Sequence, residues 1–381
     1  MVTAKSVGAG KAKRLIIKIG SSTLTTSESR IDYEYMEGLA DQVARAKAAG
    51  WQPVIVTSAA IACGLEALGI DKRPSDMPSL QAAASVGQGA LSTAYANAFA
   101  KHDILTSLVL LTRRDTADRT AYLHARDTLN RLLELGVVPI VNENDTVSVE
   151  QIRFGDNDTL AALVACPIDA DLVVIFSDID GLYDANPRTC ADAKLIELVD
   201  RIDKNILGVA GGAGSTVGSG GMITKIKAAR VLMVAGIPMI ICHGRRPNAI
   251  VDAVEGKSVG TLFTAKQQPH EITPKKLWLA LGDAVRGAVV VDEGARNALV
   301  SRGSSLLCVG VRAVEGRFDA GDIIDIKDAE GHVIARGKAA FAGDEVELAC
   351  GRSREALEAN RLLAPLADRP LVHRDELVVF E

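Results

Sequence analysis

Residues 14–24 read RLIIKIGSSTL, and this stretch decides the fold. Its apolar run is short and does not alternate with polar residues, as expected of a strand buried on both faces. It closes on Gly20-Ser21-Ser22, which is turn chemistry. The same plan recurs down the chain. PVIVT (53–57) runs into Ser58-Ala59-Ala60, and VVPIV (137–141) runs into Asn142-Glu143-Asn144-Asp145. DLVVIF (171–176) runs into Ser177-Asp178-Ile179-Asp180-Gly181. SLVLL (107–111) and IPMII (237–241) are further strands.

Helical stretches lie between these strands. One starts at Asp32, a good N-cap, and runs to Ala49 before Gly50. An alanine-rich one covers 78–101, another spans Asp118 to Leu135 before Gly136, and one runs from Met222 to Ala235 before Gly236. Alternating strands and helices imply an α/β fold, an open and mostly parallel sheet sandwiched by helices. Ligands of such sheets gather at the carboxyl ends of the strands. Here those ends carry Gly, Ser, Asn and Asp, residues that any turn can use but that recur after Ile19, Thr57, Val141 and Phe176.

The polar segment TAKQQPHEITP (264–274) has two prolines and reads as a linker. Beyond it, GAVVVDEGA, DIIDIKDAEGHVIARGKA and LVHRDELVVF are short strands between Gly and Asp turns. The expected division is a catalytic α/β domain over 1–268 and a smaller, mostly β domain over 275–381.

Composition narrows the function. The chain has 381 residues, 48% apolar and 24% charged, with net charge −5. These are globular values. No apolar run nears the roughly 18 residues of a membrane span, and no apolar stretch follows the basic N-terminus as in a secretory signal. The six cysteines are scattered with no C-x-x-C spacing, which fits free thiols in a reducing cytoplasm. From His270 onward, 15 Lys/Arg face 19 Asp/Glu. That balance argues against RNA binding by the C-terminal domain. The six histidines show no paired-ligand spacing, so no protein metal site is expected. His373-Arg374-Asp375 spells a protein-kinase triplet but lacks every accompanying kinase motif.

The strongest local signal is GVAGGAGSTVGSGGMITK (208–225), with seven glycines before a helix that starts near Thr224-Lys225. Glycines let backbone N–H groups face a phosphate, and helix N-termini favour anions. A flexible surface loop is the alternative. The stretch matches neither the Walker A pattern nor the dinucleotide fingerprint. Lys18 lies inside the first strand, one residue before its end, in an otherwise apolar run. It either snorkels from a sheet edge or faces phosphate beside Gly20-Ser21-Ser22. NENDTV (142–147) and GDNDT (155–159) can be plain Asx turns. Together they also supply amide donors for a carboxylate and acceptors for an ammonium group, a set that suits an amino acid.

IIKIGSSTL, VTSAAIACG, LLTRRD, ARDTL, VVPIVNEND, FGDNDTL, SDIDGLYDANPR, GSGGMITK and RGSSLL occur in this order along the chain. In order and spacing they resemble the bacterial glutamate 5-kinases, which join an amino-acid-kinase domain to a C-terminal PUA domain. The resemblance covers essentially the whole chain. It implies ATP-dependent phosphorylation of the γ-carboxylate of L-glutamate to L-glutamyl 5-phosphate, the first step of proline biosynthesis. It implies Lys18, Lys225 and Asp158 as catalytic residues, the two lysines stabilising the transferring phosphoryl group and Asp158 holding them. Ser58, Asp145 and Asn157 would bind glutamate. Lys18, Ser177, Asp178, Ser219, Gly220, Gly221, Met222, Ile223, Thr224 and Lys225 would bind ATP. Mg²⁺, feedback inhibition by proline, a homo-oligomer (dimer or tetramer) and glutamyl-phosphate reductase as a channelling partner follow by the same resemblance. Three positions depart from the family pattern. Ala59 stands where glycine is usual, Ser177 where threonine is common, and Ile223 where a small polar residue is common. If position 59 requires a positive φ, its alanine strains the turn.

Overall fold

The computed structural model describes residues 12–28, 30–112, 115, 118–147, 157–210, 221–265, 276, 279–280, 285–361 and 363–380. The chain divides into two compact units, Met1–His270 and Glu271–Glu381. Most of the linker segment 264–274 lies outside the described residues.

The first unit is built on an eight-stranded sheet. In chain order its strands are β1 (Lys13–Lys18), β2 (Trp51–Val56), β3 (Thr106–Leu111), β4 (Val138–Glu143), β5 (Leu172–Ser177), β6 (Leu198–Val199), β7 (Met239–His243) and β8 (Thr261–Phe263). Across the sheet the order is β3-β4-β2-β1-β5-β7-β8-β6. Every pairing is parallel except β7 with β8. β1 lies between β2 and β5, so the chain builds leftward from β1 and then returns to its right side. That reversal makes a crevice at the carboxyl ends of the central strands.

The helices are α1 (Ser21–Leu24), α2 (Tyr33–Ala48), α3 (Ala60–Ala67), α4 (Met77–Ala100), α5 (Arg119–Glu134), α6 (Asn157–Ala165), α7 (Lys204–Ala210), α8 (Met222–Val234) and α9 (Ala249–Val254). On one face of the sheet, Leu15, Ile17, Ile55, Ile140, Val174 and Phe176 pack with Met36, Leu39 and Val43 of α2, Leu91, Tyr95 and Phe99 of α4, and Ile250 of α9. The alternate residues Ile16, Val54, Val56, Val141, Val173 and Ile175 are buried as well, and α6 lies against β1, β4 and β5. Both faces are therefore covered, which is why these strands carry no polar alternation.

Local chemistry sets the boundaries. Asp32 caps α2 by accepting from the Tyr35 N–H at 3.0 Å, and Asp118 caps α5 by accepting from the Ala121 N–H at 2.8 Å. Gly50 and Gly136 follow their helices with φ of +87° and +76°, the left-handed turn that glycine takes without a Cβ clash. β3 departs from the expected burial. It is an edge strand paired with β4 alone, and Leu108 stays 39% exposed. The second departure is α3 and α6: α3 starts at Ala60 within the Ser58-Ala59-Ala60 turn residues, and α6 starts at Asn157 within GDNDT, which can be a plain Asx turn.

The second unit holds a five-stranded sheet, β11-β9-β12-β13-β15, and a separate β10–β14 pair. Its strands are β9 (Val285–Val291), β10 (Leu306–Leu307), β11 (Val311–Gly316), β12 (Ile323–Lys327), β13 (Val333–Lys338), β14 (Pro370–Val372) and β15 (Leu377–Val379). Val289, Ile324, Ile326, Ile334, Phe318 and Leu371 form its core. It is mostly β, with short helices.

Candidate active site

Lys18 is the last residue of β1, in the middle of the sheet. The edge-strand alternative for this lysine is therefore excluded, and its burial requires a counter-charge. Asp158, in the first turn of α6, supplies it. Lys18 Nζ lies 2.7 Å from Asp158 Oδ1, and Lys225 Nζ lies 3.1 Å from Oδ2. Thr224 Oγ1 donates to the same Oδ2 at 2.7 Å. Asp158 is fully buried and each lysine is only 5% exposed. Burial alone would raise the Asp158 carboxyl. The two ammonium groups outweigh it and hold the carboxyl far below the usual carboxylate range.

Two ammonium groups thus share the Asp158 carboxylate in this cluster. Gly221 caps α8 in an extended conformation, no acidic residue occupies the first turn, and Lys225 sits in that turn. A cation at a helix N-terminus is unfavourable unless an anion is near. Asp158 is one such anion, and a phosphate would be a second. A Cβ built on Gly20 would sit 3.6 Å from Lys18 Nζ, so the absence of a side chain there keeps room beside the ammonium group. At the end of β5, Ser177 Oγ donates to Asp178 Oδ1 at 3.3 Å. Asp178 Oδ2 accepts from Arg188 Nη2 at 2.6 Å. Met222, Ile223 and Thr224 are half-buried at the start of α8. Ser219 and Gly220 lie outside the described residues.

A second group of polar side chains sits where β2 and β4 end. Asn157 Nδ2 donates to Ser58 Oγ at 2.6 Å, to Asn142 Oδ1 at 3.3 Å and to the Thr57 carbonyl. Asn157 adjoins Asp158 in α6, so one helix start carries both the lysine anchor and the amide. Thr57 Oγ1 pairs with the buried Tyr95 hydroxyl at 2.8 Å. Asp145 follows β4 by two residues and is half-buried. Burial pushes its carboxyl up to about 6, against the opposing pull of Arg73. Ala59, between Ser58 and α3, has φ +77° and ψ 7°. The expected strain at this position is thus present in the backbone.

The arrangement can neutralise transferring phosphate at Lys18 and Lys225 and hold a small polar acceptor beside it. Among the described residues, the only cluster of three metal-type ligands is Asp328, Glu330 and His332 in the second unit. Both Asp158 oxygens are engaged by cations, and Asp178 is held by Arg188, so neither forms a ready-made metal cage.

Sequence reading left Asn142 and Arg188 without individual roles, though both lie inside quoted motifs. Thr57 and Tyr95 carried no signal, because a hydroxyl pair across a helix–strand contact has no sequence period.

The fold and the lysine pair define a phosphotransferase of the amino-acid-kinase type. The Amino acid kinase family model matches residues 13–243, and a PUA domain model matches residues 287–359. Glutamate 5-kinase of Caldanaerobacter subterraneus subsp. tengcongensis is 42% identical over 368 residues, covering 97% of this chain and 98% of the relative. Those of Geobacter sulfurreducens and Moorella thermoacetica are 44% and 45% identical over 370 residues, covering 97% of this chain and 98% and 97% of the relatives. The chain belongs to the glutamate 5-kinase family.

Proposed function

We propose that the cluster at the ends of β1, β2, β4 and β5 transfers the γ-phosphoryl group of ATP to the side-chain carboxylate of L-glutamate. The observation that carries this reading is Asp158 gripping Lys18 and Lys225 together. A carboxylate is already ionised at neutral pH, so the nucleophile needs no general base. One glutamate oxygen attacks the γ-phosphorus. The bond to the bridging β,γ-oxygen breaks, and its electron pair leaves with ADP. Lys18 and Lys225 stabilise the charge on the transferring oxygens, which is most of what phosphoryl transfer asks of a protein. Asp158 is the positioning residue for both.

Ser58, Asn157 and Asp145 hold the amino acid, Asp145 as the acceptor for its ammonium group. Ser177, Asp178, Ser219, Gly220, Gly221, Met222, Ile223, Thr224 and Lys225 hold ATP, together with Lys18. Mg²⁺ would supply charge neutralisation on the ATP phosphates, and neither Asp158 nor Asp178 is assigned to it, since both already face cations of the chain. The same family reading brings feedback inhibition by proline, a homo-oligomer and glutamyl-phosphate reductase as a downstream partner in a cytoplasmic pathway. No helix among the described residues is long and apolar enough to cross a membrane.

The test is trapping of acyl phosphate by hydroxylamine, with ADP release measured in parallel. L-glutamate, L-aspartate and N-acetylglutamate are compared as acceptors. Glutamate-dependent turnover that collapses by about 100-fold or more in Lys225→Ala supports the reaction and the lysine's role. Turnover with another acceptor would overturn the substrate assignment.

A further inference from the structure

α4 passes behind the carboxyl ends of β2 and β4 and sends two polar side chains to them. Tyr95 reaches Thr57, as described. Gln88, two helical turns earlier on the same face, accepts from Asn142 Nδ2 through its Oε1 at 2.8 Å. Gln88 is 9% exposed and Asn142 is 1% exposed. Gln88 Nε2 is buried and has no hydrogen-bond partner among the described residues. Packing does not ask for an amide here, since a methionine would fill the same volume without a polar group to satisfy.

The helix is held at this depth by backbone contact. A Cβ on Gly87 would fall 1.8 Å from the Ala60 carbonyl oxygen, and one on Gly64 would fall 1.7 Å from that of Ala83. α3 and α4 therefore touch with no side chain between them. Gly87 immediately precedes Gln88, and Ala60 follows the Ser58-Ala59 turn. This crossing fixes Gln88 relative to the turn that presents Ser58.

From Gln88 a hydrogen-bonded series leads into the amino-acid site. Asn142 turns its Nδ2 to Gln88, so its Oδ1 faces Asn157 and accepts from Asn157 Nδ2, which also donates to Ser58 Oγ. The Thr57 carbonyl can only accept, so Asn157 Nδ2 donates, Asn142 Oδ1 accepts, and Asn142 Nδ2 is left requiring the oxygen that Gln88 presents. We propose that Gln88 is a positioning residue for the amino-acid substrate, acting through Asn142 on Asn157 and Ser58. The proposal rests on the assignment of Asn157 and Ser58 to glutamate.

The experiment measures KM for glutamate, KM for ATP and kcat by hydroxamate formation in the full-length chain. The variants are Gln88→Met, Asn142→Ala, their double mutant and Asn157→Ala. Gln88→Met is expected to raise KM for glutamate by about tenfold, the scale of a lost hydrogen bond, with KM for ATP within about twofold. In the Asn142→Ala background the same substitution is expected to add nothing further, because its route is already cut. Equal changes in both KM values, or effects that multiply in the double mutant, would assign Gln88 to helix packing and overturn the proposal. If Asn157→Ala raises KM for glutamate and Gln88→Met does not, the site assignment stands and the proposal falls alone. If Asn157→Ala leaves KM for glutamate unchanged, both fall. Should Gln88→Met lose its native melting transition, Gln88→Asn, which keeps the amide but cannot span to Asn142, replaces it with the same expected outcomes.

Discussion

Arg188 reaches back ten residues to hold Asp178, its Nη2 2.6 Å from Oδ2. Both side chains are more than half exposed, so the pair adds little to stability, about 0–1 kcal/mol. Its value lies in fixing a carboxylate at the end of β5. Arg188→Met is expected to raise KM for ATP by about fivefold, leave KM for glutamate unchanged, and leave the melting curve almost where it was. Steady-state kinetics with each substrate varied, beside one thermal melt, tests this.

Asp158 separates two buried ammonium groups, and its loss would leave them facing each other. Asp158→Asn keeps the shape and removes the charge. We expect a loss of about 3–5 kcal/mol at neutral pH and a fall in kcat of at least about 100-fold. The folded carboxyl lies below its unfolded value. Its contribution is thus fully present above the ordinary carboxylate range and is lost as pH falls through the depressed folded value. Urea melts of wild type and variant should therefore differ most near neutrality and converge in strong acid. A gap that stays constant with pH would refute the charge argument.

Asp145 behaves in the opposite sense. Its carboxyl is raised to about 6 by burial, so its ionisation opposes folding increasingly as pH climbs from the unfolded carboxylate range up to that value. Asp145→Asn should equal wild type in stability below about pH 4 and exceed it above about pH 6. Catalysis moves the other way, since an ammonium group needs the ionised form. In wild type, kcat/KM for glutamate should drop below a pH of about 6. In the variant it should be low and flat across that range.

Ala59 holds φ +77°, where an L-residue costs about 1–2 kcal/mol. Glycine removes this strain but gives back about 0.4–1 kcal/mol through the freer unfolded chain. Ala59→Gly is therefore expected to stabilise the protein by about 0.5–1 kcal/mol. Calorimetry decides it, and a destabilised variant would show that the alanine methyl group is better packed than the turn is strained.

The sheet was legible in the sequence because its central strands are apolar on both faces and end in turn residues. Asp32, Gly50 and Gly136 mark helix limits for local reasons that any chain would share. α6 escaped detection because Asn157–Ala165 is buried along its whole length, and a helix with no solvent face shows no amphipathic stripe. The same helix carries Asp158, so the link between Lys18 and Lys225 could not be derived from periodicity, and only the family resemblance proposed it. SLVLL is as apolar as a central strand although β3 lies at the sheet edge, so apolar content alone does not separate the two positions. Gln88 sits in an alanine-rich helix that reads as plain core. Its contact with Asn142 depends on glycines 64 and 87, whose effect appears only when the two helices are laid together.

The position of Lys18 also bears on the order in which the polypeptide is made. β1, β2, β3 and β4 leave the ribosome first and can pair among themselves, but the flank of β1 that β5 will cover is still open at that stage. The aspartate that neutralises Lys18 is synthesised 140 residues after it, and the second lysine later still. Until then the half-built sheet holds an ammonium group at its centre that favours water over burial. The nascent chain therefore cannot close its core early, and the event that buries the sheet is the same one that assembles the cationic centre.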